Sequence, residues 1–152
     1  MLLLPVSHRQ QRQRADCLVA CAAMVLDYLQ VPVNYARLAK LLQTDPFGTV
    51  FRKLRNLETF GLYVLIEEGN VEKLRSHLEN GLPCIVPVQT HPLSTEESTS
   101  HAVVVVGLED TLIYLNDPAF ATAPQVLTLA EFDLMWLEHD YFYAVIGLDQ
   151  IL

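Results

Sequence analysis

The 152-residue chain has few basic residues and no excess of positive charge. Ten Lys and Arg residues stand against eighteen Asp and Glu residues, for a formal net charge of -8 with neutral histidines. Because a nucleic-acid interface needs a basic face, this composition argues against a nucleic-acid partner. The one basic cluster, Arg9, Arg12 and Arg14, fits either a solvated arm or a substrate-facing surface.

Long apolar runs and targeting signals are also missing. No segment reaches the roughly 18 apolar residues that a membrane span requires. The opening Met1-Leu-Leu-Leu-Pro is too short for a signal-peptide core. The three cysteines lack the spacing of a disulfide framework, as is typical of a reducing compartment. We therefore expect a cytoplasmic protein with no membrane span.

The sequence also contains no motif for a phosphate-binding loop and no close cluster of metal-ligating residues. No Gly-rich turn opens a helix, which argues against a phosphate-binding loop. Cys17 and Cys21 have no second close pair of the kind that zinc sites use. The remaining candidate ligands are scattered: Cys84, His8, His77, His91, His101 and His139. We expect neither a metal nor a cofactor.

The residues that are present suit a globular fold. Hydrophobic residues make up 51% of the chain and charged residues 18%, which favours a well-filled core over disorder. At this length we expect one domain over residues 1–152 that buries roughly two-thirds of its unfolded surface.

Helices are predicted to come first. After an irregular segment at 1–15, an apolar helix runs from Cys17 to Leu29 and is stopped by Val31-Pro32. Asn34 and Thr49 are candidate N-caps for helices over 34–43 and 49–60. Later helices are predicted over 70–80 and, with a Thr128 and Glu131 capping box, over 128–137.

Strands dominate the second half. They are predicted over 63–68, 82–89 and 141–148, together with a hairpin over 100–117. Pro83 and Pro87 indicate that the 82–89 strand lies at an edge or is irregular. The fold class is therefore α+β, with the N-terminal helices packed on an antiparallel sheet.

Cys17 is a candidate nucleophile because it follows Asp16, a preferred N-cap, at the start of an apolar helix. The partial positive charge of a helix N-terminus stabilises a thiolate, and a neighbouring imidazolium would do so further. The alternative is that Cys17 is a buried core residue, as we expect for Cys21 and Cys84.

The predicted hairpin supplies a candidate base and an acid to orient it. A turn centred on Glu109 and Asp110 pairs residues whose numbers sum to about 219, which sets His101 beside Asp117 or Pro118. An acid there can orient the ring and leave its other nitrogen to face a thiolate. Alternatively, His101 is a buried structural histidine and Asp117 an Asx-turn residue.

Acyl transfer at a thiolate also needs donors for the developing oxyanion. The Cys17 backbone N–H can supply one. Gln10, Gln11 and Gln13 are all candidates for a second, and their spacing does not choose among them.

These residues resemble the bacteriocin-processing, double-glycine leader peptidases, papain-like cysteine peptidases often found as N-terminal domains of peptide-exporting ABC transporters. The stretch from Gln11 to Tyr28 is similar to the family's Gln, Asp-Cys and small-apolar helix pattern. Further similar segments are Gly48-Thr49 with Leu54, Phe60-Gly61-Leu62, Gly81-Leu82-Pro83, His101 to Gly107, Tyr114 to Pro118, and Glu131-Phe132 with Trp136.

The resemblance implies a papain-like fold, a Cys17, His101 and Asp117 triad, and Gln11 in the oxyanion hole. It implies hydrolysis of a peptide or protein substrate, in the family after Gly-Gly, without a cofactor. Leu18 departs from the Gly that usually follows the nucleophile, and Gln30 from a helix-terminating Gly. No transporter segment is recognised in the sequence, so a separate transporter is a candidate partner.

Two other functions fit the same pattern. A noncatalytic peptide-binding module could keep the fold and the groove but would not need all four site residues. An acyl transferase or deamidase would use the same thioester chemistry with a different acceptor.

Overall fold

The computed structural model describes residues 2–90 and 100–151. An apolar first helix lies at the centre of one core. This helix, α1 (Cys17–Tyr28), is buried from Leu18 to Leu26. It is joined by α2 (Tyr35–Leu41), which is capped by the Asn34 side chain as expected, and by a 3-10 helix (Phe51–Phe60).

The remaining elements form the sheet and two helices on its other face. The strands are β1 (Leu2–Leu3), β2 (Tyr63–Glu68), β3 (Cys84–Gln89), β4 (Ser100–Leu108), β5 (Leu112–Asn116), β6 (Gln125–Thr128) and β7 (Phe142–Gly147). The helices are α3 (Val71–Glu79) and α4 (Leu129–Leu137). All described pairings are antiparallel, in the order β2-β7-β3-β4-β5-β6, with β1 beside β4.

Strand β4 separates two hydrophobic cores because its side chains alternate between the sheet faces. Ala102, Val104 and Val106 pack with α1, whereas Val103 and Val105 pack with α3 and α4. Both sets are almost fully buried. The α+β prediction, with helices packed on an antiparallel sheet, is therefore confirmed.

Several local predictions need correction. The segment after Thr49 is a 3-10 helix whose N-cap is Val50, because the Thr49 hydroxyl is bonded to Thr44 instead. The short strands β1 and β6 were not predicted, since two and four residues carry little periodicity. Cys84 and Thr128 do behave as expected, the first fully buried and the second capping α4 with Glu131.

The 82–89 strand is central, between β7 and β4, and the prediction of an edge was wrong. Pro87 is tolerated because pairing with β7 ends at Ile85. At Pro87 the strand therefore has β4 as its one described neighbour, as a strand at a sheet edge does, and such positions accommodate proline.

The hairpin register also differs from the prediction. Val104 faces Asn116, while Gly107 faces Tyr114, with an irregularity between Val105 and Gly107. The paired numbers therefore sum to 220 or 221 rather than 219. A bulge adds a residue to one strand, and no sequence signal located it.

Candidate active site

Cys17 is the first residue of α1, and its side chain is partly exposed. Asp16 occupies the N-cap position as expected, but its side chain makes no capping hydrogen bond. It accepts a hydrogen bond from the Tyr35 hydroxyl at 3.4 Å instead, and burial with the nearby Asp16 charge raises the pKa of Tyr35 to about 12. The first backbone N–H groups of α1 thus remain available at the site.

The other two thiols are enclosed. Cys21 and Cys84 are both fully buried, and burial raises the pKa of each well above its ordinary value. Because only a thiolate is a good nucleophile, burial argues against a nucleophilic role for Cys21 and Cys84 and leaves Cys17 as the candidate.

His101 bridges Cys17 and Asp117. Its Nε2 lies 2.5 Å from Asp117 Oδ1, and the ring also interacts with the Cys17 side chain. With Nε2 engaged by the carboxylate, Nδ1 is the nitrogen left to face the sulfur. The two side chains of the His101 and Asp117 pair are only 10% and 12% exposed, so solvent screens the interaction weakly.

The charged form of His101 is favoured despite burial. Burial alone lowers the pKa of the ring, but hydrogen bonds and negative charge from Asp117 and Cys17 outweigh it and raise the pKa to about 9. At neutral pH the imidazolium therefore lies between a carboxylate and a sulfur. This arrangement suits an ion pair with a thiolate.

Asp117 is held by the turn that follows it. Its Oδ1 also accepts the Ala119 backbone N–H at 2.9 Å, so the Asx turn considered from the sequence is present as well. The turn and the histidine contact therefore coexist on one carboxylate.

Gln11 lies beside the same turn, with its backbone N–H donating to the Pro118 carbonyl at 2.8 Å. Its side-chain Nε2 donates to the carbonyls of Gln13 and Arg14, each at 2.9 Å. Its Oε1 is buried without a described partner. Both amide hydrogens are thus already engaged in this state.

A groove of about 730 Å³ opens beside His101 and Asp117, and Cys17 is not among its described lining residues. Gln11, His101 and Asp117 line it together with apolar side chains that sequence reasoning did not select: Phe47, Leu115, Phe120, Leu127 and Met135. Phe47 is 98% exposed at the tip of a turn that Asp45 closes by accepting the Phe47 N–H. The signal that could have found it is an aromatic residue placed at a turn tip.

The arginine cluster divides between structural and groove positions. Arg9 forms a salt bridge with Asp27, and Arg12 stacks over the Tyr35 ring at 4.3 Å. Arg14 lines the groove. Only Arg14 is placed to face a substrate.

Among the described residues, no three His, Cys, Asp or Glu side chains are grouped to hold a metal ion. The candidate ligand His91 lies outside those residues, as does most of the polar loop before His101. No helix in the described ranges is both long and apolar enough to cross a membrane.

Residues 6–140 match the family described as Peptidase C39 family. The chain belongs to the Peptidase C39 family. It is a cysteine-type peptidase, as the resemblance to double-glycine leader peptidases predicted. The match covers Gln11, Cys17, His101 and Asp117 together.

A curated relative of this C39 peptidase is the Lactococcin-G-processing and transport ATP-binding protein LagD of Lactococcus lactis subsp. lactis. The two are 30% identical over 127 residues, which is 83% of this chain. The chain spans only 17% of the length of that relative.

Two solved structures share the fold. One is a double glycine motif protease from an AMS/PCAT transporter in complex with its leader peptide, with a TM-score of 0.76 and 21% identity over 95% of this chain and 93% of that one. The other is the peptidase domain of Streptococcus ComA, a bi-functional ABC transporter, with a TM-score of 0.77 and 18% identity over 95% and 99%. The papain-like α+β fold expected from the sequence is therefore confirmed.

Proposed function

We propose that Cys17, His101 and Asp117 form the catalytic triad and that the protein hydrolyses a leader peptide after a Gly-Gly pair. The observation that carries the proposal is the position of His101, which is bonded to the carboxylate of Asp117 and interacts with the Cys17 side chain. A base held between a nucleophile and an orienting acid is the arrangement that covalent acyl transfer needs.

The chemistry follows from the charged state of the pair. The Cys17 thiolate attacks the scissile carbonyl and forms a C–S bond, and the carbonyl electrons move onto the oxygen. His101 then gives its proton to the leaving amine as the C–N bond breaks, which leaves a thioester. Neutral His101 next takes a proton from a water molecule while the water oxygen attacks the thioester carbon. The C–S bond then breaks, which releases the carboxylic acid product and restores the Cys17 thiolate.

The oxyanion of each tetrahedral intermediate would be bound by the Cys17 N–H and by Gln11. Both hydrogens of the Gln11 amide are donated to backbone carbonyls, so the oxyanion would have to replace one of these acceptors. Such an exchange is favourable because a hydrogen bond to a charged oxygen is roughly twice as strong as one to a neutral carbonyl. The buried Oε1 keeps no bond that the exchange would break.

The residues that line the groove favour a peptide substrate with apolar side chains. Phe47 and Phe120 are exposed aromatic residues at its wall, with 98% and 48% exposure. Exposed apolar surface of this kind commonly marks a binding site. The relatives named for lactococcin processing and for a double glycine motif favour a leader with Gly before the cleaved bond.

Thiol alkylation tests the triad without a substrate. We expect iodoacetamide to modify Cys17 alone, and rapidly, below pH 7, with each cysteine located by peptide mass. His101→Ala should slow the reaction because the imidazolium that stabilises the thiolate is lost. Equal rates for Cys17 and Cys84, or no effect of His101→Ala, would exclude the ion pair.

Cleavage of a synthetic leader peptide with a Gly-Gly site tests the substrate class. Mass spectrometry should find one cut, after the second glycine, that disappears in Cys17→Ala and persists in Cys84→Ala. Replacing either glycine by valine should abolish the cut. Uncut peptide with a reactive Cys17 would refute the leader specificity, and a product joined to an added amine would instead indicate acyl transfer.

A further inference from the structure

The short turn Asp117–Phe120 fixes the carboxylate that His101 uses. It is closed by two bonds, Phe120 N–H to the Asp117 carbonyl at 3.1 Å and Ala119 N–H to Asp117 Oδ1 at 2.9 Å. The second bond sets the direction of the carboxylate. Any movement of the turn is therefore transmitted to the His101 contact.

The N-terminal arm, residues 4–11, runs along this region and is bonded to it repeatedly. The Leu4 N–H donates to Val106, and the Val6 carbonyl accepts from the Asn116 side chain at 2.9 Å. Farther along the arm, His8 Nε2 lies 2.6 Å from the Phe120 carbonyl. The Gln11 N–H reaches the Pro118 carbonyl at 2.8 Å.

We propose that His8 is a positioning residue that holds the Asp117–Phe120 turn against the arm and so keeps Asp117 aimed at His101. The inference rests on the proposed triad. It adds to the site a side chain that touches neither Cys17 nor His101. It also makes the arm the link between Gln11 and Asp117, which are distant in the sequence.

The geometry gives His8 this role for two reasons. Because the Phe120 carbonyl can only accept, His8 Nε2 is the donor, and it draws the last residue of the turn toward the arm. The other ring nitrogen, Nδ1, is buried and has no described hydrogen-bond partner, so the ring makes its one side-chain hydrogen bond to the turn. Since Phe120 also lines the groove, the same bond fixes part of the substrate wall.

Three variants separate positioning from general stability. His8→Leu removes the donor but keeps much of the volume, and His8→Gln restores an N–H near the position of Nε2. Arg9→Leu is the matched control, because Arg9 anchors the adjacent arm residue to Asp27 of α1 and does not touch the turn. If His8→Leu fails to fold, His8→Asn takes its place, since its shorter amide does not reach the carbonyl.

The first measurement is the titration of the His101 ring by NMR, with its signal assigned by loss in His101→Gln. We expect a midpoint near pH 9 in the wild-type protein. In His8→Leu it should fall by about one pH unit, because a misdirected carboxylate stabilises the imidazolium less. His8→Gln and Arg9→Leu should titrate like the wild-type protein.

The second measurement is cleavage of the leader peptide. His8→Leu should lower kcat/KM roughly 10- to 100-fold, mostly through kcat, as expected for a misplaced catalytic group. Unchanged His101 titration in folded His8→Leu would overturn the inference, as would an equal shift in Arg9→Leu. A wild-type His101 that titrates near pH 6.5 would refute the triad itself, so the two failures are distinguishable.

Discussion

Replacing Asp117 by Asn tests how the site keeps His101 charged. Asp117 Oδ1 accepts hydrogen bonds from His101 Nε2 and from the Ala119 N–H. The amide of Asn keeps an oxygen in that position, so the turn and the ring orientation should survive. The change removes only the negative charge. Papain-like enzymes with Asn in this role show that the chemistry tolerates it.

The size of the effect follows from the forces on His101. Burial disfavours the charged ring, yet Asp117 and Cys17 together raise its pKa from 6.5 to about 9. That change corresponds to about 3 kcal/mol in favour of the imidazolium. A carboxylate in direct contact accounts for about 1 to 3 pH units of such a shift. In Asp117→Asn the ring should therefore lose its proton between about pH 6 and 8.

The assay is the pH dependence of kcat/KM from pH 5 to 10. Because the raised pKa keeps His101 protonated as pH increases, wild-type activity should fall only near pH 9. The activity of Asp117→Asn should fall at a pH about two units lower than that of the wild-type protein, while its kcat/KM at pH 6 stays within about tenfold of wild type. Asp117→Ala, which also removes the acceptor for Ala119, should lose about 100-fold at every pH. If the kcat/KM of Asp117→Asn still falls only near pH 9, the Asp117 charge is not what keeps His101 protonated.

Three further substitutions test the groove and the packing. Phe47→Ala should raise KM for the leader peptide about tenfold because Phe47 lines the groove. The melting temperature should not fall, since the side chain is 98% exposed. The control is Phe142→Ala, at an exposed strand position that does not line the groove, and it should leave KM unchanged. Gly107→Ala should lower the free energy of unfolding in urea by about 1 to 3 kcal/mol, because an added Cβ would lie 2.7 Å from the Leu2 carbonyl oxygen. A variant as stable as the wild-type protein would contradict the pairing of β1 with β4. Trp136→Phe should cost about 2 to 3 kcal/mol, since it replaces a buried indole by a smaller ring and removes the Nε1–H bond to the Phe142 carbonyl. A loss below about 0.5 kcal/mol would count against that bond.

The helix and strand types could be read from the sequence where a single local cause determines them. Asn34 and Thr128 cap helices because their side chains accept nearby backbone N–H groups. The apolar run after Cys17 could only be a buried helix. The apolar stripe after Thr49 predicts a helix but does not distinguish a 3-10 helix from an α-helix, because both place apolar residues on one side over ten positions.

The site was less predictable where it depends on contacts between distant segments. Sequence spacing left Gln10, Gln11 and Gln13 equivalent, and only folding brings Gln11 to the Pro118 carbonyl. Asp16 was expected to cap α1, but Tyr35 competes successfully for its carboxylate. Such competition depends on a partner 19 residues away, and no local propensity reports it.

The contact between His101 and Asp117 was predicted, but for a structural reason that proved to be wrong. It was expected from a hairpin register that the structure does not have: the β4 and β5 ladder ends at Val104 and Asn116, and extending it would set His101 opposite Ala119. The carboxylate reaches the ring because the chain turns immediately after Asn116 and the Ala119 N–H holds Oδ1. The geometry of the site is therefore encoded in the turn and in what anchors it, rather than in the strand pairing. This is why a residue of the arm such as His8, remote from the sulfur, can influence how strongly His101 keeps its proton.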